Sequence, residues 1–341
     1  MTGNTYKAAG VDIDAGERFA GMIADRVTRQ WPDVDIGGFG GRFRVPPGAT
    51  VATASADGDG TKPDLARRVG KLDVVGVGVV AMAAVDSYVD GSVPAAFCDY
   101  MVVEHLEPEA HIAIIDGVIR GCVSAGCRLV GGETAEHPGI GLPKGYVDVG
   151  GFCVGFPRSG EERTPRERIQ PGMTVWGWLS HGLGSNGYSL ARRVLRLRDD
   201  RPSRIQTRLE KYHESLGCTL ADALLVPTAI HVATIEKART QGVDFHGHAH
   251  ITGGGMVGNI PRILPPDCLA LITSASWEEP PIFGMIRRDG GVDTHEMHRT
   301  FNLGIQMVSV TAPTVEIKHP ECVRIGEIVR RNGSEPRVLM I

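Results

Sequence analysis

The chain has 341 residues, which corresponds to roughly two domains at about 150 residues each. Its 36 basic and 40 acidic residues leave a net charge of −4, so the overall charge attracts neither nucleic acid nor an anionic membrane. A hydrophobic content of 42% excludes a disordered chain, and 45 glycines, about twice the usual ~7%, predict many tight turns or loops close to a ligand.

The seven cysteines are scattered without a Cys-x-x-C spacing, which favours buried thiols in a reducing compartment over disulfides or a zinc site. The amino terminus shows no basic stretch followed by an apolar run, and the longest apolar run, residues 74–85, is too short to cross a bilayer. The sequence therefore predicts a cytoplasmic protein that acts on neither membranes nor nucleic acid.

The first half of the chain alternates between helical and strand-like patterns. Apolar residues recur at helical spacing in two segments, 15–29 and 110–126. Valine-rich segments bounded by turns predict four strands, over 51–56, 97–104, 129–133 and 146–156. The apolar run 74–85 fits either a strand or a buried helix, because a continuous run has no period to distinguish them.

A charged and proline-rich stretch over 157–172 marks the predicted domain boundary. Beyond it the elements predicted in order are a strand over 173–179, a helix over 188–197, an exposed insertion over 198–208, a helix over 229–238 and a strand over 243–251. The sequence thus predicts an α+β protein with two layered domains, an N-terminal one over 1–160 and a C-terminal one over 170–341.

The segment Asp57-Gly58-Asp59-Gly60-Thr61-Lys62 follows a predicted strand and forms a turn rich in charge. Carboxylate oxygens suit Mg²⁺ and a lysine suits phosphate, so the segment fits a nucleotide site. Its spacing is neither that of a Walker A loop nor that of an EF-hand. A polar turn with a solvated lysine explains the same residues equally well.

Two further acidic positions are candidate ligands. Glu133, with Thr134 beside it, lies where the strand over 129–133 is predicted to run into a loop, and ligands prefer such strand ends in open α/β sheets. Asp86 closes the apolar run, where it is either the end of an element or a buried ligand. For each, the more common alternative is structural: a solvent-exposed turn at Glu133 and a cap at Asp86.

Ser185-Asn186 and Thr252-Gly253-Gly254 each precede a helical pattern. Free backbone N–H groups at a helix start bind anions, and small hydroxyl and amide side chains add donors for a phosphate. The alternative is an ordinary helix cap. The glycine cluster 37–41 is too poor a match to a dinucleotide fingerprint to support a Rossmann fold.

His246, His248 and His250 alternate along a predicted strand, which would place three imidazoles on one face. Three imidazoles can bind a transition metal. No Asp, Glu or Cys with convincing spacing completes such a site, so a half-buried strand is the preferred interpretation.

Six motifs occur in a fixed order along nearly the whole chain, and together they are specific. They are Tyr6–Gly16, Asp57–Lys62, Gly131–Glu136, Ser185–Leu190, Thr252–Gly255 with Asn259-Ile260-Pro261, and Arg299–Asn302. This set resembles the aminoimidazole ribonucleotide synthetase family, also called phosphoribosylformylglycinamidine cyclo-ligase, of purine biosynthesis.

The resemblance implies a homodimer in which the sheet of the N-terminal domain pairs with that of its partner. It implies that the N-terminal domain binds ATP through glycine-rich loops and that the C-terminal domain binds the substrate or its phosphate. ATP phosphorylates an amide oxygen of formylglycinamidine ribonucleotide, a substrate nitrogen attacks the same carbon, phosphate leaves, and the imidazole ring closes. Mg²⁺ and lysine offset charge during the phosphoryl transfer.

The same resemblance assigns roles to individual residues. Asp57, Asp86 and Glu133 would hold Mg²⁺ and phosphate. Lys62 and Lys7 would meet the ATP phosphates, and Thr134 would also bind the nucleotide. The substrate or its phosphate would be held by Ser185, Asn186, Thr252, Gly253 and Gly254.

This chain departs from the family pattern inside the motifs. An apolar residue is replaced by Asp59, and the positions where the family carries an asparagine, a glutamate, a histidine and a glycine are Val85, Val93, Gly184 and Gln306. His181, three positions before Gly184, is the nearby candidate to replace the imidazole in catalysis.

The departures leave the acids that face ATP in place, so they concern the substrate more than the reaction type. Two alternatives to the purine reaction stay open at this point. One is a divergent relative that activates a different amide with ATP, and the other is a nucleotide-binding protein without catalysis.

Overall fold

The structure is a computed structural model, and it describes residue 7 and residues 9–158, 165–198 and 200–341. Its internal contacts divide the chain into two units: Met1–Ser87 with Val93–Phe156, and Tyr88–Ser92 with Pro157–Ile341. We call these the N-terminal and the C-terminal unit. The division after Phe156 coincides with the start of the predicted boundary, and residues 159–164 of that boundary lie outside the described residues.

The first eight elements of the chain are α1 (Ile13–Gln30), β1 (Thr53–Gly58), α2 (Lys62–Arg68), α3 (Asp73–Val89), β2 (Ser92–Val103), α4 (Pro108–Ala125), β3 (Arg128–Glu136) and β4 (Val147–Pro157). Their strands form one sheet in the order β1-β4-β2-β3. β1 and β4 are antiparallel, whereas β2 and β3 are parallel because α4 carries the chain back across the sheet between them. The N-terminal unit is therefore a mixed sheet with helices.

One face of this sheet is covered and the other is open. Phe97 and Met101 of β2 are fully buried, and Gly151 of β4 lies directly against Phe97 and Val79 of α3, so the helices pack on this side. On the opposite side Tyr100 and Phe152 are 49% and 45% exposed. Large aromatic side chains standing this far into solvent on a regular sheet mark a face without a covering layer.

The run 74–85 is helical, since it lies inside α3. Gly76 and Gly117 allow α3 and α4 to touch backbone to backbone: a Cβ on Gly76 would stand 1.9 Å from the carbonyl oxygen of Ile114, and one on Gly117 1.9 Å from that of Asp73. Such a crossing excludes any side chain at the contact, which accounts for glycines inside an otherwise aliphatic helix.

The remaining elements are α5 (Pro165–Arg168), β5 (Thr174–Leu179), α6 (Tyr188–Val194), α7 (Pro202–Glu210), β6 (Tyr212–His213), β7 (Cys218–Thr219), α8 (Leu220–Leu224), α9 (Val232–Thr240), β8 (Phe245–His250), α10 (Gly255–Asn259), β9 (Cys268–Ile272), α11 (Pro281–Gly290), α12 (Thr294–Thr300), β10 (Ile305–Thr311), β11 (Cys322–Arg330) and β12 (Val338–Met340). Six strands form a sheet in the order β12-β9-β11-β5-β10-β8, and β6 pairs with β7 alone. The α+β class with two sheet-containing domains is thus confirmed.

Two local predictions are wrong. The segment 198–208 is not merely an exposed insertion, because it contains most of α7, whose Ile205 and Leu209 are buried. The loop predicted after Glu133 is absent over 134–136, since β3 continues through Glu136 in register with β2. In both cases contacts from elsewhere in the chain extend the element past its local pattern. Asp86 lies in the last turn of α3, which agrees with its predicted place at the end of an element. Among the described residues no helix combines the length and apolar character needed to span a membrane.

Candidate functional site

The N-terminal unit contains a cavity of about 700 Å³, a size typical of small-molecule sites. One wall is the apolar side of α1, another is the glycine cluster 37–41, and the third is the strand segment 129–134 of β3. Three polar side chains line this cavity, those of Asp99, Glu133 and Thr134. The combination of apolar walls with a few polar groups suits a ligand that is apolar at one end and charged at the other.

Asp99 is a site residue that the sequence analysis missed. It lies on β2 opposite Gly132 of β3, is only 7% exposed, and stands one register position from Glu133. Burial, followed by the charge of Glu133, raises the pKa of Asp99 to about 7. A carboxyl group in the middle of an apolar strand is the signal in the sequence that could have revealed it, because such a position seldom tolerates an acid without a partner.

Lys62 does not line this cavity. Its side chain is fully buried at the start of α2, with Nζ 3.9 Å from Oδ2 of Asp59, which is fully buried as well. Burial lowers the pKa of Lys62, while the carboxylates of Asp59 and Asp73 oppose that shift. The contact of Lys62 with ATP phosphates therefore stays a prediction. Asp59, one of the departures from the family pattern, supplies a carboxylate that would compete with a phosphate for the ammonium group of Lys62.

The three predicted metal ligands are not gathered at one place. Asp57 is exposed on β1, where its carboxylate accepts a hydrogen bond of 2.7 Å from the backbone N–H of Gly58. Glu133 is on β3, at the opposite edge of the same sheet with β4 and β2 between, and Asp86 is on α3. Within the described ranges, no three His, Cys, Asp or Glu side chains are arranged to hold a metal ion.

Lys7 is tied into the N-terminal unit through two carboxylates. Its Nζ lies 2.8 Å from Oδ2 of Asp12, the residue that caps α1, and this hydrogen bond lowers the pKa of Asp12. The backbone N–H of Asp12 donates to Oε2 of Glu136 at 3.1 Å, and that of Leu106 donates to Oε1 at 2.8 Å. Glu136 thereby joins the segment before α1 to the connection between β2 and α4. Tyr6 and Ala8, which belong to the same motif as Lys7, lie outside the described residues.

In the C-terminal unit the predicted substrate loops converge. Ser185 donates or accepts a 2.8 Å hydrogen bond with the hydroxyl of Thr228, and Oδ1 of Asn186 lies 3.6 Å from the position of a Cβ on Gly253. Asn259 Nδ2 donates to the carbonyl oxygens of Gly253 and Gly255 at 3.2 and 2.9 Å, which fixes the glycine-rich loop. The loops at 185–186 and 252–254 thus lie next to each other, and their contact with substrate stays a prediction.

A buried polar cluster lies behind these loops. Asn302 Nδ2 donates to Ser180 Oγ at 3.2 Å and to the carbonyl oxygen of Gly182 at 3.1 Å, and Gln306 Oε1 lies 3.4 Å from Asn302 Nδ2. His181 points elsewhere: its side chain is 62% exposed, and Nε2 lies 2.8 Å from Oε2 of Glu321. In this structure Gln306 and Asn302, not His181, are the polar side chains next to Gly184.

The three alternating histidines of β8 have separate surroundings. Nδ1 of His246 lies 3.2 Å from the carbonyl oxygen of Arg168, and Nδ1 of His248 lies 2.7 Å from Ser309 Oγ. Nε2 of His250 lies 3.3 Å from Nε2 of Gln306. Each imidazole therefore has its own partner from a neighbouring element.

Comparison with known proteins assigns this arrangement to a family. Residues 41–156 match the family "AIR synthase related protein, N-terminal domain", and residues 170–338 match its C-terminal counterpart. The phosphoribosylformylglycinamidine cyclo-ligase of Synechococcus sp. (strain JA-2-3B'a(2-13)) is 42% identical, covering 98% of this chain and 96% of its own. That of Syntrophotalea carbinolica is also 42% identical, covering 99% and 98%.

A solved structure shares the fold at much lower sequence identity. The hydrogenase maturation protein HypE, solved in complex with ATP, superposes with a TM-score of 0.61 at 14% identity, covering 94% of this chain and 90% of that one. The fold is thus shared with a protein that differs in most residues. Because identity to the curated relatives is near 40% over almost the full length, the chain belongs to the phosphoribosylformylglycinamidine cyclo-ligase family.

Proposed function

We propose that this protein is an ATP-dependent cyclo-ligase that closes the imidazole ring of aminoimidazole ribonucleotide from formylglycinamidine ribonucleotide. The observation that carries this proposal is the identity of 42% over 98% of the chain to a protein of that name. The convergence of the loops at 185–186 and 252–254 supports it, because these loops come from distant parts of the sequence. The divergent and non-catalytic alternatives have no comparable support.

The reaction needs activation of a poor leaving group. The amide oxygen of the substrate attacks the γ-phosphorus of ATP, ADP leaves, and an iminophosphate forms. The amide N–H loses its proton as the iminophosphate forms. A substrate nitrogen then adds to the same carbon, phosphate leaves with the former amide oxygen, and the attacking nitrogen loses its proton. A methylene proton moves to the exocyclic nitrogen as the ring becomes aromatic. Little of this chemistry requires a covalent contribution from the protein, so the chain acts mainly by holding both reactants in line.

The nucleotide is assigned to the N-terminal cavity. Its apolar walls on α1 and the glycine cluster 37–41 suit a base and ribose, and the polar end with Asp99, Glu133 and Thr134 suits the phosphates with their metal. Mg²⁺ prefers one or two carboxylates together with phosphate oxygens and water, so it does not require all three predicted acids at one point. Bound there, the ion would neutralise phosphate charge during transfer.

The fit of a cation at this end rests on the two neighbouring carboxyl groups. Burial and the charge of Glu133 raise the pKa of Asp99, so a cation between the two carboxyl groups would favour their ionised forms. Calorimetry with a non-hydrolysable ATP analogue and Mg²⁺ tests the assignment. Asp99→Asn and Glu133→Gln should weaken binding by about tenfold or more relative to the control Asp25→Asn, at an exposed position of α1 that does not line the cavity. If the variants bind the analogue as tightly as the parent, the metal is not held at this end of the cavity.

We propose that the open face of the N-terminal sheet pairs with a second copy. Ala56 lies opposite Phe152 in the β1–β4 register, and Tyr100 projects from β2, so the face combines small side chains with two exposed aromatic ones. Light scattering should give about twice 36.5 kDa. Phe152→Asp should yield a monomer, whereas Ile140→Asp, at an exposed position off the sheet, should not.

The function itself is tested by turnover. Purified protein with ATP, Mg²⁺ and formylglycinamidine ribonucleotide should release one ADP for each aminoimidazole ribonucleotide formed. Asn186→Ala should lower kcat/KM by about tenfold or more because the residue lines the substrate loops, whereas Asn332→Ala on the surface should not. ATP binding without coupled ADP release would contradict the proposal and favour a non-catalytic role. The cytoplasmic location stays a prediction.

A further inference from the structure

Two of this chain's departures from its family's sequence pattern meet in space. Gly184 directly precedes Ser185-Asn186, and its backbone has a positive φ of 69°. A Cβ built on Gly184 would lie 2.7 Å from Oε1 of Gln306 and 3.4 Å from Nδ2 of Asn302. The amide of Gln306 therefore occupies the space into which any side chain at position 184 would have to project.

The resemblance described in the sequence analysis implies the reverse arrangement for the family pattern, with a histidine at 184 and a glycine at 306. Here the large polar side chain stands on β10 and the small residue stands in the loop. A histidine at 184 would overlap the present Gln306, and a glycine at both positions would leave the space empty. The two departures thus form one exchange rather than two independent losses.

Gln306 is fixed in this position from both ends of its amide. It is 1% exposed, Nε2 lies 3.3 Å from Nε2 of His250, and Oε1 lies 3.4 Å from Ser180 Oγ and from Asn302 Nδ2. An amide offers both donors and an acceptor, so one side chain joins β8 to the loop at 180–186. His181 cannot take this place without leaving its ion pair with Glu321.

We propose that Gln306 is a positioning residue for the substrate loop, where its amide takes over the place that the family gives to an imidazole at position 184. It holds Gly184, and through it Ser185-Asn186, for a phosphorylated ribonucleotide. This inference rests on the proposed function for its substrate, but the exchange itself is a property of the fold. Because an amide does not titrate between pH 5 and 9, Gln306 itself provides its hydrogen bonds here without ionising.

A double-mutant cycle tests the exchange. Gly184→His and Gln306→Gly should each lower the midpoint of urea unfolding and lower kcat/KM by about tenfold. The double variant should recover kcat/KM to within about threefold and should lose less stability than the two single variants together, because the clash is gone while the strain of a side chain at the positive φ of position 184 remains. Additive losses in the double variant would overturn the proposal.

A second variant separates positioning from space filling. Gln306→Met keeps the length of the side chain but removes its hydrogen bonds, so it should raise KM for the ribonucleotide by about fivefold with a smaller change in kcat. Gln241→Met on the surface is the matched control. An unchanged KM would mean that Gln306 only fills space and does not position the loop through hydrogen bonds, and it would overturn the proposal. If the parent turns over no formylglycinamidine ribonucleotide, the proposed function fails, and the unfolding cycle still decides whether positions 184 and 306 are exchanged.

Discussion

Replacing Asp59 by valine should destabilise the N-terminal unit strongly. Asp59 and Lys62 are both fully buried with their charged atoms 3.9 Å apart. At an effective dielectric constant of about 20, two unit charges at this distance attract by about 4 kcal/mol. Asp59→Val removes the attraction and leaves a buried ammonium group, for which losses of about 3–5 kcal/mol are typical.

Scanning calorimetry measures this effect in the intact chain. For a unit of this size each kcal/mol corresponds to about 2–4 °C, so the melting transition should fall by roughly 6–20 °C. Asp25→Val, at an exposed position of α1, should shift it by only about 1–2 °C. The double variant Asp59→Val/Lys62→Met should melt close to the parent, because it removes both charges together.

The pH dependence of the single variant provides a second check. Burial lowers the pKa of Lys62, and Asp59 opposes that shift, so removal of Asp59 lowers this pKa further. The unfolded chain then binds a proton that the folded chain lacks, and the folded state gains stability as the pH rises toward 10.5. The deficit of Asp59→Val should therefore shrink between pH 7 and pH 10. A variant as stable as the parent at pH 7 would refute the reasoning and show that Lys62 holds its charge elsewhere.

Three further outcomes can be measured on the same protein. Burial raises the pKa of Asp99 to about 7, so the folded state keeps a proton that the unfolded chain loses above the ordinary pKa of 3.8. The free energy of unfolding measured in urea should therefore fall as the pH rises from 4 to 7, and Asp99→Asn should flatten this dependence. Burial holds the pKa of His248 well below 6.5, so stability should fall as the pH drops below 6.5, and His248→Asn should lessen that fall. Glu136→Gln weakens the acceptor for the backbone N–H groups of Asp12 and Leu106, so proteolysis of the chain before Asp12 should become several-fold faster. An unchanged rate of proteolysis would show that Asp12, and with it Lys7, is held without Glu136.

The sequence predicted the elements whose pattern is local. α4 was predictable because its apolar residues recur at helical spacing and a glycine follows its end. α3 was ambiguous because Gly76 contacts another helix and most of its other positions are buried all round, which erases any period. α7 was overlooked because its charges outnumber the two apolar residues, Ile205 and Leu209, that anchor it.

The residues of the candidate site likewise fall into those that local sequence predicts and those that depend on the fold. The loop containing Ser185 was predictable from its motif, since its residues are adjacent in sequence. The burial of Lys62 and the environment of Asp99 were not, because both depend on strands and helices that pack around them from elsewhere. Likewise the sequence shows that Gly184 and Gln306 are unusual, but only the fold brings the two together.

The crossing of α3 and α4 inverts a general rule of helix design. Alanine is the best helix former, and replacing an interior glycine with it ordinarily stabilises a helix by about 1 kcal/mol. At Gly76 and Gly117 the added methyl group would overlap a carbonyl oxygen at 1.9 Å, so the mildest substitution available becomes one of the most damaging. In a scan of every position in both helices, these two sites should tolerate no other residue. Stabilising this enzyme by raising helix propensity must therefore spare Gly76 and Gly117, where the two helix backbones touch.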